Sequence, residues 1–291
     1  MQPADFLSAV FFYLKVGENL NQNWIVENLN NAFSTWNGKL GELWGLVTTG
    51  PQTFKGGAVW SVMQTLHNGM VGIGYALVVL FFAISLCKNT MNFRELKRPE
   101  AAIQYFLRFV EAKAHDVGYG RDIMLKVFSI CNGIVTDMAD SMGGISEAMV
   151  SLPAEMQTAI ENVGFLASIP LWLVTILGSL FITVLSFVMI LTVYGRFFRL
   201  YMYTALAPLP LAAFAGESTQ SVGISFLKSY VGVCLEGAVI VLACVIYSAF
   251  VSTPTVASGE ATTIVWSYLA ETVFNMLVLV GLIKGSDRII H

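Results

Sequence analysis

Apolar residues recur every three or four positions between residues 20 and 48: Ile25, Leu29, Phe33, Trp36, Leu40, Leu43 and Val47. Asn, Ser, Thr and Glu fill the positions between them. That spacing predicts a helix with one apolar stripe. Trp24, Trp36 and Trp44 suit a membrane interface, but the stripe carries few Lys or Arg. Attraction to anionic lipid is therefore not its main anchor. Two settings fit such a helix: it lies on a membrane or a partner, or it packs on the protein's own membrane domain. The stretch "TTGPQTFKGG" at 48–57 ends it, because Gly50-Pro51 and Gly56-Gly57 are strong breakers. Residues 1–57 read as an N-terminal amphipathic, interfacial region, and 58–291 as a transmembrane helical domain.

Beyond residue 58 the stripe gives way to segments that are apolar all round. Met70 to Cys87 is 18 residues without a charge, about 27 Å of helix and close to the thickness of a hydrocarbon core. Gly72, Gly74 and Ala76 give this span a small-residue patch for close helix approach. Lys88, Arg94, Lys97 and Arg98 follow directly, which marks a cytoplasmic end. Residues 100–122 are amphipathic, with Arg108, Lys113 and Arg121, and belong at the cytoplasmic surface. Residues 123–140 form the weakest span, interrupted by Lys126, Asn132 and Asp137. Asp140, Glu147, Glu155 and Glu161 then mark an outside loop without Lys or Arg. Val163 to Tyr194 is 32 residues without a charge; Pro170 marks the entry, so 170–194 is the third span. Thr175, Ser179, Thr183 and Ser186 share one face of it, which suits a helix contact or, as the sharper alternative, a polar path for a substrate. The fourth and fifth spans are 229–252 and 263–283.

The segment 196–218, "RFFRLYMYTALAPLPLAAFAGES", opens on Arg196 and Arg199 and holds Pro208 and Pro210. Two prolines remove two backbone donors and forbid a continuous helix through the site. If the segment does not cross, the chain has five spans, an outside N-terminus and a cytoplasmic C-terminus. All Lys and Arg from residue 88 onward, 13 of the 16, then fall on one side. The positive-inside rule favours that arrangement, with 196–218 a re-entrant or broken helix returning to the inner leaflet. Unpaired carbonyls at membrane depth require burial in protein or contact with water. Glu236, about eight positions into the fourth span, requires a partner for the same reason, and Arg196 or Arg199 is the expected one.

Composition agrees with lipid as part of the solvent. Of 291 residues, 56% are hydrophobic and 12% charged, against about 25% charged in an ordinary soluble domain. The net charge of -3 argues against a general nucleic-acid binder, whose domain would be strongly basic, and no sequence-specific nucleic-acid binding is expected. Residues 1–5 contain no Lys or Arg, and no small-residue cleavage site follows Phe6–Leu14, so the mature chain is expected to keep its N-terminus. Cys87, Cys131, Cys234 and Cys244 lie in or beside apolar runs without a C-x-x-C pair and read as small buried side chains. His67, His115 and His291 are scattered, and no P-loop, H-E-x-x-H or G-x-S-x-G occurs. The expected chemistry is non-enzymatic, with no catalytic, metal or cofactor-binding residues. The fold class read from these patterns is an all-α, polytopic membrane helical bundle of about five transmembrane helices, with one broken helix.

"YGRFFRLYMYTALAPLPLAAFAGE" followed by "SFLKSYVGVCLEGAVIVLACVIYSAF" resembles the core of TrbL-like conjugal transfer membrane proteins, relatives of the sixth VirB component of type IV secretion systems. "PQTFKGGAVW", "GYALVVLFF", "KRPEAAIQYFLRF" and "IKGSDRIIH" resemble the form found on conjugative elements of Firmicutes. The resemblance covers most of the chain from about residue 35. It implies a cytoplasmic-membrane subunit with an outside N-terminus and an inside C-terminus. It further implies secretion ATPases, single-pass scaffold subunits, further copies of the chain and lipid as partners, with DNA or a protein–DNA cargo in transit. It offers no catalytic residue. Its arginine-bearing, proline-broken core maps to Arg196, Arg199, Pro208, Pro210 and Lys228. The chain departs from the family pattern in lacking a large outer or C-terminal domain. A small secondary transporter or channel is the competing reading, weakened because only one proline-broken segment is present and inverted repeats supply two.

Overall fold

The computed structural model describes residues 3–90, 99–112, 117–141, 149–251 and 261–290. Arg94, Lys97, Arg98, Lys113, His115, Glu147 and most of the "STPTVASGEAT" loop lie outside the described residues, as does His291. Nine α-helices and no strand are found among the described residues: α1 (Pro3–Thr48), α2 (Ala58–Thr90), α3 (Pro99–Glu111), α4 (Gly120–Ser141), α5 (Ala154–Glu161), α6 (Phe165–Leu206), α7 (Pro208–Leu211), α8 (Gln220–Val251) and α9 (Ala261–Ile290). The protein is an all-α helical bundle, as the apolar patterning predicts.

Four helices are long and apolar enough to cross a membrane: Phe54–Lys88, Ser168–Leu206, Gln220–Phe250 and Thr263–Ile289. They match four of the five expected spans, 229–252 up to Phe250. The remaining one, 123–140, is helical within α4 but is not among them. The physical reason is charge: Arg121, Asp122, Lys126, Asp137 and Asp140 are distributed along its length. α2 is the least covered of the four, with 17% of its most apolar window buried against 39%, 50% and 39% in the others.

The chain folds as two compact units. The first comprises Met1–Gly45, Met142–Thr192 and Ile240–Gly285. Here the α1 stripe is settled in favour of the protein's own helices: Ile25, Leu29, Trp36, Leu40 and Leu43 are fully buried and Phe33 nearly so. Trp24 meets Trp172, and Phe33 meets Tyr268 edge-on. Asn37 fixes the link before α5 by donating to the Val150 carbonyl at 2.8 Å and accepting the Val150 N–H at 2.9 Å. The hydroxyl row of α6 points to a helix contact. Thr175, Ser179 and Ser186 are buried, and Gly178 opens toward Leu269. Each hydroxyl donates to a carbonyl of its own helix: Thr175 to Trp172, Ser179 to Ile176, Thr183 to Ser179 and Ser186 to Ile182. The helix also begins at Phe165 and runs through Pro170 rather than starting there.

The second unit comprises Leu46–Ser141, Val193–Val239 and Ser286–His291. It begins with the predicted turn. Lys55, Gly56 and Gly57 all have positive φ, at 51°, 70° and 78°. Glycine carries two of these at no steric cost. Phe54 is then inserted against α6, stacked on Phe197 at 4.1 Å and edge-on to Tyr194. From there α2 runs in the same direction as the end of α6 and the segment after it. Trp60 lies by Tyr201, the His67 ring N–H donates to the Thr204 carbonyl at 2.8 Å, and Gly74 abuts Pro208. Farther along, Gly216 abuts the Phe81 carbonyl and the Glu217 N–H donates to Ser85 Oγ. A Cβ at Gly74 would stand 2.8 Å from the Pro208 carbonyl oxygen, so this approach demands glycine. α4 runs the opposite way, with Gly120 near His67, Phe128 near Gly50 and Asn132 donating to the Thr48 carbonyl.

The proline segment is therefore broken where the sequence places the break, but it does not lie along one surface. α6 continues unbroken past Arg196 and Arg199 to Leu206. α7 and a single 3₁₀ turn, Ala212–Ala215, follow before α8 turns back. Over Trp60–Ser85 this stretch accompanies α2, about 37 Å of helix, so the two share depth. Ala207, Leu211, Ala212, Ala213 and Ala215 are all buried. Small side chains allow the chain to pass that close, and burial in protein satisfies the condition for irregular backbone at membrane depth.

Candidate functional site

The polar side chains that sequence singles out converge where α6, α8 and the last turn of α9 meet inside the second unit. Arg196 and Arg199 are one turn apart on α6, so both reach the same flank. α8 answers with Val233, Cys234, Glu236 and Gly237.

Arg196 is fully buried. Its Nε donates to the Val233 carbonyl at 3.2 Å, Nη2 to the Cys234 carbonyl at 3.0 Å and Nη1 to the Val47 carbonyl at 3.4 Å. Val47 is in the last turn of α1, where helix carbonyls lack intrahelical partners and carry the negative end of the helix dipole. The guanidinium thus caps α1 while binding the side of α8. It fits there because Gly237 has no side chain: a Cβ would stand 2.8 Å from Arg196 Cζ and Nη2. Neighbouring groups close the same helix end. Asn132 donates to the Thr48 carbonyl at 3.2 Å, and the Tyr201 hydroxyl donates to the Pro51 carbonyl at 2.7 Å.

Arg199 is the partner of Glu236. Its Nη2 lies 2.6 Å from both carboxylate oxygens, and Nη1 is 3.8 Å from Asp287 Oδ2. Glu236 is 2% exposed whereas the Arg199 side chain is 31% exposed. Ser286, fully buried, donates its hydroxyl to Glu236 Oε1 at 3.2 Å. Arg199 Nε is buried without a hydrogen-bond partner among the described residues.

Of the other expected residues, Pro208 is buried against α2 and Pro210 is half-buried. Neither touches the arginine cluster. Lys228 is exposed and stands apart from it. Sequence reasoning missed Ser286, Asp287 and Gly237. The signals were the small and polar "GSD" interrupting the last span and the glycine directly after an intramembrane acid. Cys131, Cys234 and Cys244 are buried as expected, but Cys87 is exposed at the end of α2. Among the described residues no group of His, Cys, Asp and Glu could hold a metal ion.

This constellation holds charges in place. Both of its acids face Arg199, Glu236 at 2.6 Å and Asp287 at 3.8 Å. Its chemistry is that of a structural ion-pair and carbonyl-capping network joining α1, α6, α8 and α9. A family comparison gives that network a context: residues 36–208 match the model for TrbL/VirB6 plasmid conjugal transfer like protein. The matched region is more than half of the chain and includes α2, Arg196, Arg199 and Pro208. The chain belongs to this family. It is a TrbL/VirB6-like conjugal transfer component, and its four long apolar helices make it a multi-pass membrane protein. Comparison with curated proteins and with solved structures finds no match.

Proposed function

We propose that the chain is a non-enzymatic subunit of the cytoplasmic-membrane complex of a conjugative type IV secretion system. It helps to build the inner-membrane assembly or channel through which DNA, or a protein–DNA conjugate, is transferred. The observation that carries this reading is the family match over 36–208, which includes two of the four long apolar helices together with Arg196, Arg199 and Pro208. Its partners in this reading are lipid, further copies of the chain, the secretion ATPases and single-pass scaffold subunits. Energy for transfer comes from those ATPases, in keeping with a polar network devoted to structure.

The N-terminus is placed outside and the C-terminus in the cytoplasm. Support comes from Lys88, Arg94, Lys97 and Arg98, which directly follow the span that ends at Cys87. In this reading 123–140 is the additional traverse that an odd count requires, its charges facing protein or water.

The test is an in-frame deletion with complementation in a donor strain, scored by transfer frequency, alongside co-purification from native membranes in mild detergent. Transfer is expected to fall to the detection limit and return on complementation, with a secretion ATPase in the purified complex. Unchanged transfer, or a lone monomer that moves a solute across liposomes, would overturn the assignment.

A further inference from the structure

α4 and α8 meet inside the second unit with one cysteine from each at the contact. The Cys131 thiol is hydrogen-bonded to that of Cys234, and the Cys234 thiol to the Tyr230 hydroxyl. The end of this chain fixes its direction. Tyr230 gives its one hydroxyl proton to the Met124 carbonyl at 3.0 Å. Cys234 therefore donates to Tyr230, and Cys131 donates to Cys234, because each group has a single proton to give. The Cys131 S–H thus points at the Cys234 sulfur. Backbone contacts pin the two helices around the pair. Tyr230, one turn before Cys234, holds Met124, two turns before Cys131. At the level of the sulfurs, Asn132 holds the Thr48 carbonyl, and Arg196 holds those of Val47 and Cys234. Both helices are thereby fastened to the same end of α1. Cys234 has no exposed surface, but Cys131 keeps 6% of its own. Its open neighbours on α4 are apolar: Ile130 and Ile134 are 69% and 47% exposed, and nothing stands within 4 Å of a Cβ built on Gly133.

We propose that Cys131 and Cys234 form a redox-sensitive lock, closed into a disulfide that ties α4 to α8 by a lipid-soluble quinone. The Sγ–Sγ bond forms as both S–H bonds break. The two electrons and two protons pass to the quinone, which leaves as the quinol. Three features suit the pair to this step. The sulfurs already face each other, and the helices that carry them are held in place on both sides, as disulfide geometry requires. The Arg196 guanidinium, bound to the Cys234 carbonyl, supplies positive charge nearby, and such charge favours the thiolate through which thiol oxidation passes. The open surface beside Cys131 is apolar, so an apolar oxidant reaches it more readily than a charged one. Closure fixes α4 to the helix that cages Arg196, at the end of α1. The long loop between the two cysteines is then closed in the unfolded chain as well, which stabilises the folded one. The inference rests on the contact of α4 with α8 and not on the role of the chain in transfer.

Thiol trapping on the full-length protein in phospholipid vesicles tests it. The vesicles are treated with decylubiquinone, whose ring has no free position for thiol addition, or with tetrathionate, a water-soluble dianion. The chain is then unfolded in detergent with N-ethylmaleimide and digested for mass spectrometry. After the quinone, maleimide labelling of Cys131 and Cys234 is expected to fall together and in equal measure. Their two peptides should be recovered as one disulfide-linked species that dithiothreitol separates. Tetrathionate should consume Cys87, which is exposed, and leave the pair labelled. In mixed micelles the quinone-treated protein should unfold at a higher temperature than the untreated protein, and Cys131→Ser given the same treatment should show no such shift. Full labelling of the pair after the quinone, loss of one thiol without the other, or a bond to Cys87 or to a second chain would overturn the proposal. A disulfide that leaves the unfolding temperature unchanged or lowers it overturns the lock. Closure by tetrathionate as readily as by the quinone overturns the apolar route.

Discussion

Arg196 and Arg199 leave the same helix one turn apart and are accommodated in opposite ways. Arg196 is fully buried and meets no carboxylate; three backbone carbonyls from two helices receive it. Arg199 is nearly one-third exposed and grips Glu236, which is itself almost wholly buried. The difference originates on α8. At Val233 and Cys234 the helix presents bare carbonyl edges, because Gly237 leaves no side chain over them. One step away it presents the Glu236 carboxylate. A buried cation can thus be held by aligned dipoles where the backbone is accessible, and needs a formal anion where it is not. The exposures teach a second lesson: in the Arg199–Glu236 pair, the arginine has water as an alternative and the glutamate does not.

That asymmetry gives the largest expected effect. Arg199→Ala strands Glu236 with only the Ser286 hydroxyl, and stranding a buried charge costs about 3–5 kcal/mol. Glu236→Ala leaves Arg199 free to turn toward solvent and Asp287, and should cost less than half as much. Reversible unfolding in mixed micelles measures both. Equal losses would show that the pair is symmetric and that the exposure difference carries no energy.

Gly237→Ala sharpens the other half of the comparison. The new methyl would lie within 2.9 Å of three guanidinium atoms of Arg196, and overpacking of this kind costs about 1–3 kcal/mol. If the guanidinium is what the methyl strikes, the same change in an Arg196→Met background should be milder, and the double-mutant cycle should show coupling. Strict additivity would place the strain elsewhere on α8.

Much of this was legible in the sequence, for physical reasons. Long apolar runs over 70–87, 170–194, 229–252 and 263–283, charged only at Glu236 and Glu271, can only be largely buried or lipid-facing, so α2, α6, α8 and α9 follow. Pro208 and Pro210 forced a break, and an acid at 236 demanded an arginine. What stayed hidden depends on partners that every residue carries. Backbone carbonyls at Val47, Val233 and Cys234 leave no compositional trace, so the caging of Arg196 had no signal. The choice of Arg199 over Arg196 as the partner of Glu236 rests on a difference of one turn in helix register. The direction of 207–217 along α2 escaped for a different reason. Positive-inside counting weighs only Lys and Arg, and this stretch has none; its path is set by small residues, Gly74, Ala212, Ala215 and Gly216, whose meaning appears only when two backbones touch.

The smallest effect tests how much the carboxylate depends on its second donor. Ser286 reaches Glu236 Oε1 at 3.2 Å, longer than the usual 2.7–2.8 Å of a hydroxyl donor, so the bond is a weak one. Arg199 already contacts both oxygens at 2.6 Å. Ser286→Ala removes one atom from a fully buried site without opening a water-sized void, and Glu236 keeps its cation. A loss of about 0.5–1 kcal/mol is expected, in line with the modest value of single hydrogen bonds between membrane helices. In an Arg199→Ala background the same change should cost more, because the hydroxyl is then the last direct donor to the acid. A larger loss in the wild type than in that background would reverse the ranking and make Ser286, not Arg199, the group that fixes Glu236.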